Sequence, residues 1–233
     1  ASCYWFASAV TLDLAITGFQ FSYFKFVSIE NLSGGAGYDE LSGDSGANVL
    51  YGDDGNDVLR GRGGADTLQG GNGLDTASYS DAATGVVASL VAPSTNTGDA
   101  AGDTYNSIEN LTGSSHNDTL TGDSGANVIT GGAGDDTING GGGTNTLIGG
   151  AGADHVKGGS GVDHFVYGAV SESTGANYDT VIGFDALTDI FHVPGTITGI
   201  NTALTTGALS TSTFNANLAA AVENNRKVLS DKT

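Results

Sequence analysis

Apolar residues recur at every ninth position along two long tracts of the chain. The first tract runs from Gly34 to Ser78 as five consecutive nonapeptides, and the second runs from Gly113 to Val166 as six more. In each nonapeptide, position one is glycine, position six is Asp or Asn, and position eight is apolar. Such a fixed period is typical of a repeat architecture in which each unit packs against its neighbours. The position-eight residues are Leu41, Leu50, Leu59, Leu68, Ala77, Leu120, Ile129, Ile138, Leu147, Val156 and Phe165.

The spacing within one unit predicts a short strand and a tight turn. Positions seven to nine, such as Thr67-Leu68-Gln69, suit a three-residue strand whose central side chain points inward. The glycines of the preceding positions permit positive φ and therefore a compact turn. Two consecutive units make one coil, so that unit i stacks on unit i+2. We therefore predict an all-β solenoid with two parallel sheets around a thin core.

A core this thin requires additional stabilisation. Burying one Leu or Ile contributes about 1.5–3 kcal/mol, whereas ordering the backbone of each residue costs about 1–2 kcal/mol. Of the 26 acidic residues, 21 are Asp, and the formal net charge is −19. Position-six carboxylates brought together by stacking would repel one another unless a cation lies between them. Carboxylates and the carbonyls of glycine turns are ligands that Ca²⁺ accepts, so we predict calcium sites between stacked units.

Composition and motifs argue against several other classes of protein. Seven basic residues against 26 acidic ones disfavour a nucleic-acid-binding face. Cys3 is the single cysteine, and no run of 18 apolar residues could span a membrane. The sequence contains neither HExxH nor GxSxG, and its four histidines are scattered, with His155 and His164 expected on opposite surfaces. We therefore expect no enzymatic activity from the chain.

The nonapeptide arrays are part of a longer repeat. Ser28–Leu32 (SIENL) recurs as Ser107–Leu111, and Val10–Leu14 resembles Val86–Leu90. Each copy therefore consists of an irregular strand pair followed by an array. This indicates that the segment between the arrays is a wider coil of one solenoid and not a linker.

The wider coil and its flanking segments give five predicted parts. The polar stretch Pro93–Thr104 of the wider coil is predicted to be an excursion loop. In this loop, Asp99 and Asp103 are candidates for an extra cation site. The favoured interpretation is that both are acids of a loop exposed to solvent. The parts are an N-terminal cap (1–33), the first array (34–78), the wider coil (79–112), the second array (113–166) and a C-terminal β cap (167–233).

The ends of the chain differ from the arrays in composition. Eight of the 18 aromatic residues lie within the first 26 positions, and Phe19, Phe21 and Tyr23 alternate as in a strand with one apolar face. We expect a hydrophobic cap there, with an interface to a neighbouring domain or subunit as the alternative. Near the other end, Thr213–Asn224 is predicted to be a short helix because Phe214, Leu218 and Val222 share one face.

The nonapeptides resemble the GGxGxDxUx repeat of RTX (repeat-in-toxin), hemolysin-type proteins. The resemblance covers every unit of the first array and of the second. It implies a right-handed parallel β-roll with Ca²⁺ between adjacent coils, and type I secretion from a Gram-negative bacterium to the outside of the cell. The segment after the arrays resembles the C-terminal cap of serralysin-type proteins. Because Arg226–Thr233 lacks the apolar finish of that family, we expect the natural chain to extend further.

Carried over to this sequence, the resemblance implies seven calcium sites, held by position-six side chains and turn carbonyls of two stacked units. Asp–Asp pairs should bind most strongly, the Asn127/Asn145 pair should bind most weakly, and His116 should distort the Asp118 site. The pairs are Asp39/Asp57, Asn48/Asp66, Asp57/Asp75, Asp118/Asp136, Asn127/Asn145, Asp136/Asp154 and Asn145/Asp163. The turn residues expected to contribute are Gly34, Ala36, Gly43, Ser45, Gly52, Asp53, Gly55, Gly64, Gly71, Gly73, Gly122, Ser124, Gly131, Gly132, Ala133, Gly134, Gly150, Gly152, Gly159 and Gly161.

Three functions are compatible with these features. We favour a non-enzymatic, calcium-binding module of a secreted or cell-surface protein, disordered without calcium and folded once calcium is bound. One alternative is the C-terminal part of a secreted enzyme such as a protease, lipase or polysaccharide epimerase. The other is a structural segment of a surface layer or adhesin, and the fold alone does not decide among the three.

Overall fold

The computed structural model describes residues 30–169, Glu172, 179–185 and 187–193, together with the backbone of two short strands nearer the N-terminus. The described residues form β-strands and two single turns of 3₁₀ helix, Pro93–Thr95 and Gly98–Ala100. The strands are β1 (Ser2–Cys3), β2 (Thr11–Asp13), β3 (Asn31–Ala36), β4 (Glu40–Ser42), β5 (Val49–Asp54), β6 (Val58–Arg60), β7 (Thr67–Asn72), β8 (Thr76–Ser78), β9 (Val87–Ser89), β10 (Thr104–Asn106), β11 (Asn110–Thr112), β12 (Thr119–Thr121), β13 (Val128–Ala133), β14 (Thr137–Asn139), β15 (Thr146–Ala151), β16 (His155–Lys157), β17 (His164–Val166), β18 (Thr180–Ile182) and β19 (Ile190–His192).

Parallel strands stack on two faces of a solenoid. One face is a nine-stranded sheet with the order β2-β4-β6-β8-β11-β13-β15-β17-β19. The other face consists of two five-stranded sheets, β1-β3-β5-β7-β10 and β9-β12-β14-β16-β18. Within the arrays, consecutive strands of the chain alternate between the faces, so each pair of strands makes one coil. This confirms the predicted parallel β-roll.

The two-unit length of a coil fixes the register of the strands. Leu50 of β5 lies opposite Leu32 of β3 and Leu68 of β7. In the second array, Leu147 of β15 lies opposite Ile129 of β13 in the same way. All eleven position-eight side chains are buried. The core is therefore built largely from stacks of single apolar side chains, one from each strand.

The segment between the arrays belongs to the same solenoid. Strand β11 pairs with β8 of the first array and with β13 of the second, so the nine-stranded sheet is continuous through both. The opposite face is interrupted, because β10 ends one five-stranded sheet and β9 begins the other. The two 3₁₀ turns lie in the excursion between β9 and β10.

Buried polar side chains occupy the interior of this wider coil. The Tyr79 hydroxyl donates to Asp103 Oδ2 at 2.8 Å and lies 2.5 Å from the Tyr105 hydroxyl. The Tyr105 hydroxyl in turn accepts a hydrogen bond from Asn96 Nδ2 at 2.9 Å. Asp103 is only 1 % exposed, so its interpretation as a solvated loop acid is wrong: it points inward as the acceptor for Tyr79. Asp99 is partly exposed.

The two copies of the longer repeat start on different faces of the solenoid. The Asn-Leu pair of the first SIENL segment begins β3 in a five-stranded sheet, whereas the same pair of the second begins β11 in the nine-stranded sheet. The reason is that β9 and β10 follow each other on one face, which shifts the alternation by one strand. In both copies the Asn-Leu pair therefore begins a strand, but the two strands join different faces.

Aromatic rings cover the core beyond the second array, where β18 and β19 extend the two faces. The centroid of the Phe165 ring lies 5.8 Å from that of Phe184 and 5.3 Å from that of Phe191. The Phe184 and Phe191 rings stack at 4.5 Å. Within the described residues, no helix has the length and apolar character that a membrane crossing requires.

Two of the histidines form a pair, although the sequence analysis treats them as scattered. His164 Nδ1 lies 2.8 Å from His192 Nε2, and the rings stack with centroids 5.0 Å apart. The prediction is wrong for this pair because β17 and β19 are neighbouring strands. His155 is exposed on β16, on the other face. The predicted features that lie outside the described residues are the aromatic run Phe19–Tyr23, the helix Thr213–Asn224 and the ending Arg226–Thr233.

Candidate metal centres

The position-six residues lie in the turns, along the edges of the roll where the chain passes between its two faces. The backbone N–H of Asp39 donates to Asp57 Oδ1 at 2.8 Å, and that of Asp57 donates to Asp75 Oδ1 at 2.8 Å. The same hydrogen bond joins each of the seven pairs that the sequence analysis matched, at 2.8–3.1 Å. The position-six residues of both arrays are at most 2 % exposed. Each edge therefore carries a buried column of stacked Asp and Asn side chains.

These columns continue beyond the nonapeptides, which the sequence analysis missed. The glycine pattern is lost in the flanking coils, but an acid still stands directly before the strand. That placement, an acid followed at once by a short strand, is the signal that could have identified them. The additional column members, each accepting from the backbone N–H of the acid beneath it at 2.9–3.0 Å, are Asp103 over Asp66, Glu109 over Asp75, Asp179 over Asp154 and Asp189 over Asp163.

Position-one glycines keep a space open beside each column. A Cβ placed on Gly52 would overlap Asp57 Oδ2 and come within 2.5 Å of the Gly70 carbonyl oxygen of the next coil. A Cβ on Gly131 would meet Asp136 Oδ2 and the Gly149 carbonyl in the same way. A carboxylate oxygen and a carbonyl oxygen thus border one small space between stacked coils. The carbonyls that face such spaces in the seven pairs are those of Gly52, Gly61, Gly70, Gly131, Gly140, Gly149 and Gly158.

Only some of these carbonyls were among the predicted ligands. Gly52 and Gly131 were predicted, whereas the other five extend the same position-one column and were missed. The remaining predicted turn residues lie in the same turns, where backbone packs on backbone. A Cβ on Gly71 would overlap the Asp53 carbonyl, and one on Gly73 would overlap the Gly55 carbonyl, in each case one coil earlier in the chain. These close approaches explain why the turns favour glycine.

Among the described residues, each of five position-six aspartates has one buried carboxylate oxygen without a hydrogen-bond partner. In each, Oδ1 accepts the backbone N–H described above, while Oδ2 is buried with no hydrogen-bond partner. A buried polar atom without a partner costs about 1–3 kcal/mol, and more when it is charged. The five are Asp57, Asp66, Asp75, Asp136 and Asp154.

Burial raises the pKa of these carboxyl groups. It raises the pKa of Asp57 to about 6 and those of Asp66 and Asp136 to about 7. It also raises the pKa values of Asp75 and Asp154. The negative charges of neighbouring acids in the column contribute a further upward shift at Asp57 and Asp136. The ionised form is thus unfavourable in the folded chain unless a positive charge joins it.

Other position-six side chains already have partners. Asn145 Nδ2 donates to Asp163 Oδ1 at 2.9 Å and to the Gly142 carbonyl at 3.2 Å. Asn127 Nδ2 donates to the Glu109 carbonyl at 2.6 Å. The Nδ2 groups of these two asparagines therefore have hydrogen-bond acceptors within the chain, whereas the Oδ2 atoms of the five aspartates have no hydrogen-bond donor.

The unit that contains His116 also differs from the others. The Ser114 N–H donates to Asp118 Oδ2 at 2.5 Å, and the Ser114 hydroxyl donates to Oδ1 at 3.1 Å. The Val86 N–H donates to Oδ1 at 2.7 Å. Both oxygens of Asp118 are therefore satisfied by the protein, so this carboxylate is less prepared for a cation than those of Asp57 and Asp136.

The donor set fits a hard divalent cation. Among the described residues, no group of three His, Cys, Asp or Glu side chains is close enough to hold a metal by itself. The buried Oδ2 atoms must therefore be joined by the turn carbonyls beside them. Ca²⁺ takes six to eight oxygen ligands in flexible geometry, including carboxylates and backbone carbonyls. The pairs best prepared for it are those in which an unsatisfied Oδ2 faces a carbonyl, as at Asp57 and Asp136.

Comparison with known proteins identifies the same repeats. The model of the RTX calcium-binding nonapeptide repeat matches in four copies, at residues 28–59, 42–77, 112–147 and 140–170. A search of curated proteins found no significant match. The matched segments contain the position-six columns of both arrays and the glycines beside them. The two arrays are thus RTX calcium-binding nonapeptide repeats, and they are folded as a parallel β-roll.

Proposed function

We propose that this chain is a module whose folding is driven by Ca²⁺, and that it serves a protein delivered outside a Gram-negative cell. The proposal rests on one observation: buried Oδ2 atoms of aspartates have no hydrogen-bond partner, and they face carbonyl oxygens of the turns. Such atoms destabilise the metal-free fold, and a cation placed between them removes the penalty. The same contacts therefore oppose folding without calcium and favour it with calcium.

Binding energy enters the folding equilibrium directly, because the unfolded chain has no formed sites. Each site that exists only in the folded state contributes RT ln(1 + [L]/Kd), about 1.4 kcal/mol at ten times Kd. Extracellular calcium modules commonly have Kd values of about 10⁻⁴–10⁻³ M. Several modest sites in one roll are then sufficient to offset the thin core.

The proposed location outside the cell follows from this coupling between calcium binding and folding. In a calcium-poor cytosol, a chain with a net charge of −19 and 39 glycines would stay extended, which suits passage through a type I secretion channel. Outside the cell, millimolar calcium would fold it. The family's usual occurrence in proteins secreted by Gram-negative bacteria supports this proposal.

We assign the module a binding and folding role and not a catalytic one. Its most abundant chemical groups, the position-six carboxylates, are at most 2 % exposed and are held by backbone N–H donors in fixed columns. A substrate in solution would not reach them. This role is compatible with a catalytic or adhesive partner domain elsewhere in a longer protein.

Substitution of Asp57 and Asp136 tests the proposal, because each lies in two stacked pairs. Asp57→Asn and Asp136→Asn each keep the Oδ1 acceptor and replace the Oδ2 charge with a donor. Loss of two sites at calcium concentrations near ten times Kd removes about 3 kcal/mol of folding free energy. We expect the calcium midpoint of folding, followed by circular dichroism, to rise several-fold for each variant.

The matched control is Asp54→Asn. Asp54 is exposed on the same coil as Asp57 and accepts a hydrogen bond from Asn72 at the surface, so its replacement removes the same charge outside the column. Its calcium midpoint should stay close to that of the unchanged chain. Equal midpoints for all four proteins would disprove the proposal.

A further inference from the structure

We propose an additional calcium site at the junction between the first array and the wider coil, formed by Asp75, the carbonyl of Ser107 and Glu109. Ser107 and Glu109 lie outside the segments matched by the repeat family and outside the seven pairs. They belong to the SIENL segment Ser107–Leu111. The inference rests on the proposed calcium-binding function and extends it beyond the nonapeptides.

The register of β10 places Ser107 in a ligand position. Asn106 of β10 lies opposite Gln69 of β7, so Ser107 follows on the coil stacked over Gly70. A Cβ on Gly70 would overlap both Asp75 Oδ2 and the Ser107 carbonyl oxygen. The space at Gly70 is therefore bordered by the same kinds of atoms as the space at Gly52, which lies between Asp57 Oδ2 and the Gly70 carbonyl.

Glu109 completes the column at this level. Asn110 pairs with Thr76, which is position seven of its unit, so Glu109 stands at position six. The turn from Ser107 to Glu109 has three residues where a nonapeptide turn has six. Glutamate is one methylene longer than aspartate, and its Oε2 accepts the Asp75 N–H at 2.9 Å across this shortened turn. The corresponding bond from Asp57 to Asp75 is 2.8 Å long.

Asp75 supplies the direct indication of a missing ligand. It is 0 % exposed, and its Oδ2 has no hydrogen-bond partner although it faces the Ser107 carbonyl. The Ser107 backbone has φ of 50°, a left-handed conformation that disfavours residues other than glycine. Asp75 Oδ2 and the Ser107 carbonyl of the adjacent coil thus border one space, and the partly buried Glu109 carboxylate contacts the Asp75 backbone beside it. Carboxylates and a backbone carbonyl are ligands that Ca²⁺ accepts.

The test counts bound ions in the full chain by native mass spectrometry at saturating Ca²⁺, with circular dichroism to verify β structure. Glu109→Gln keeps an oxygen for the Asp75 N–H but loses the charge, so we expect one ion fewer than in the unchanged chain. Glu109→Asp keeps the charge but is too short for the three-residue turn, and it should also lose one ion. If Glu109→Gln does not fold, Glu109→Asp still tests the proposed site.

Two controls define the result. Ser107→Gly retains the carbonyl and relieves the positive φ, so its ion count should not change. Glu40→Gln removes the same charge where the carboxylate pairs with Arg60 and Tyr38, and its count should also stay unchanged. Unchanged counts for both Glu109 variants, with calcium still bound elsewhere, would overturn this site alone. An unchanged chain that binds no calcium would instead overturn the proposed function.

Discussion

At the scale of single residues, the two oxygens of a position-six aspartate have different roles. Oδ1 accepts a backbone N–H of the adjacent coil and so belongs to the fold itself, as at Asp136 and Asp154. In these two residues, Oδ2 faces the space beside the position-one glycine and has no hydrogen-bond partner within the protein. Asparagine preserves the first role and changes the second, because its amide nitrogen is a donor. The choice between Asp and Asn therefore sets which coils need a cation.

Asn145 gives a direct test of this division. Its Nδ2 lies beside the Gly158 carbonyl, where an aspartate would place Oδ2. We expect Asn145→Asp to bind at least one more calcium ion per chain and to lower the stability of the metal-free form. Native mass spectrometry measures the ion count. Asn139→Asp, which adds the same charge at position nine on a strand, should leave the count unchanged, and a gain in this control would contradict the assignment.

The raised pKa values predict how the metal-free chain responds to acid. In the unfolded chain these Asp groups titrate near pH 4, whereas burial raises the folded pKa of Asp57 to about 6 and those of Asp66 and Asp136 to about 7. The unfolded state thus loses protons first as pH rises. The contribution of these groups to stability is full below about pH 4 and is lost as pH rises through about 6–7.

Calcium-free protein should accordingly show more β structure at about pH 5 than at about pH 8 in far-UV circular dichroism. Asp136→Asn cannot titrate at this position and should show a smaller difference between the two pH values. A metal-free spectrum that is independent of pH would contradict the account of these buried carboxyls.

At the scale of elements, close backbone contacts between coils set the shape of the turns. Gly64 has φ of 127°, and a Cβ there would overlap the Gly46 carbonyl of the coil beneath. At Gly63, one residue earlier, a Cβ would meet no atom within 4 Å. The two adjacent glycines therefore have different reasons for their presence, and only Gly64 is required by the stacking.

This contrast predicts opposite results for two neighbouring substitutions. Gly64→Ala combines a disfavoured φ with an overlap of backbone atoms, and it should reduce folding free energy by at least about 1 kcal/mol. Gly63→Ala should be neutral or stabilise the chain by up to about 1 kcal/mol, because alanine restricts the unfolded state. Calcium midpoints and thermal midpoints measured on both variants check this, and equal effects would show that the turn geometry is wrong.

The elements also show how far sequence alone could lead. The period of nine fixes the strands, the inward position-eight residues and the stacking of position six, because each depends on local spacing. The places of Asp103 and Glu109 in the columns depend instead on the wider coil, whose length is irregular. The hydrogen bond from the Tyr79 hydroxyl to Asp103 depends on the same coil. No local period encodes which coil such a segment stacks on. For the same reason the sequence did not reveal that the SIENL copies join different faces.

At the scale of the whole molecule, one continuous sheet links the two arrays. Strand β11 hydrogen-bonds to β8 and β13, so the arrays share the nine-stranded sheet, while the opposite face is divided. Coils in a solenoid stabilise one another through nearest-neighbour contacts. We therefore expect calcium binding in one array to promote folding of the other, and the full chain to fold in a single cooperative transition.

The central claim is tested most directly by far-UV circular dichroism of the purified chain during a calcium titration. The titration runs from a solution with chelator to about 10 mM Ca²⁺, which exceeds the Kd of about 10⁻⁴–10⁻³ M common in extracellular modules. Mg²⁺ is the control, because it requires a stricter octahedral geometry than these turns provide. We predict a cooperative change from coil to β structure with Ca²⁺ and not with Mg²⁺. A β spectrum that is the same in chelator and in calcium would contradict calcium-driven folding.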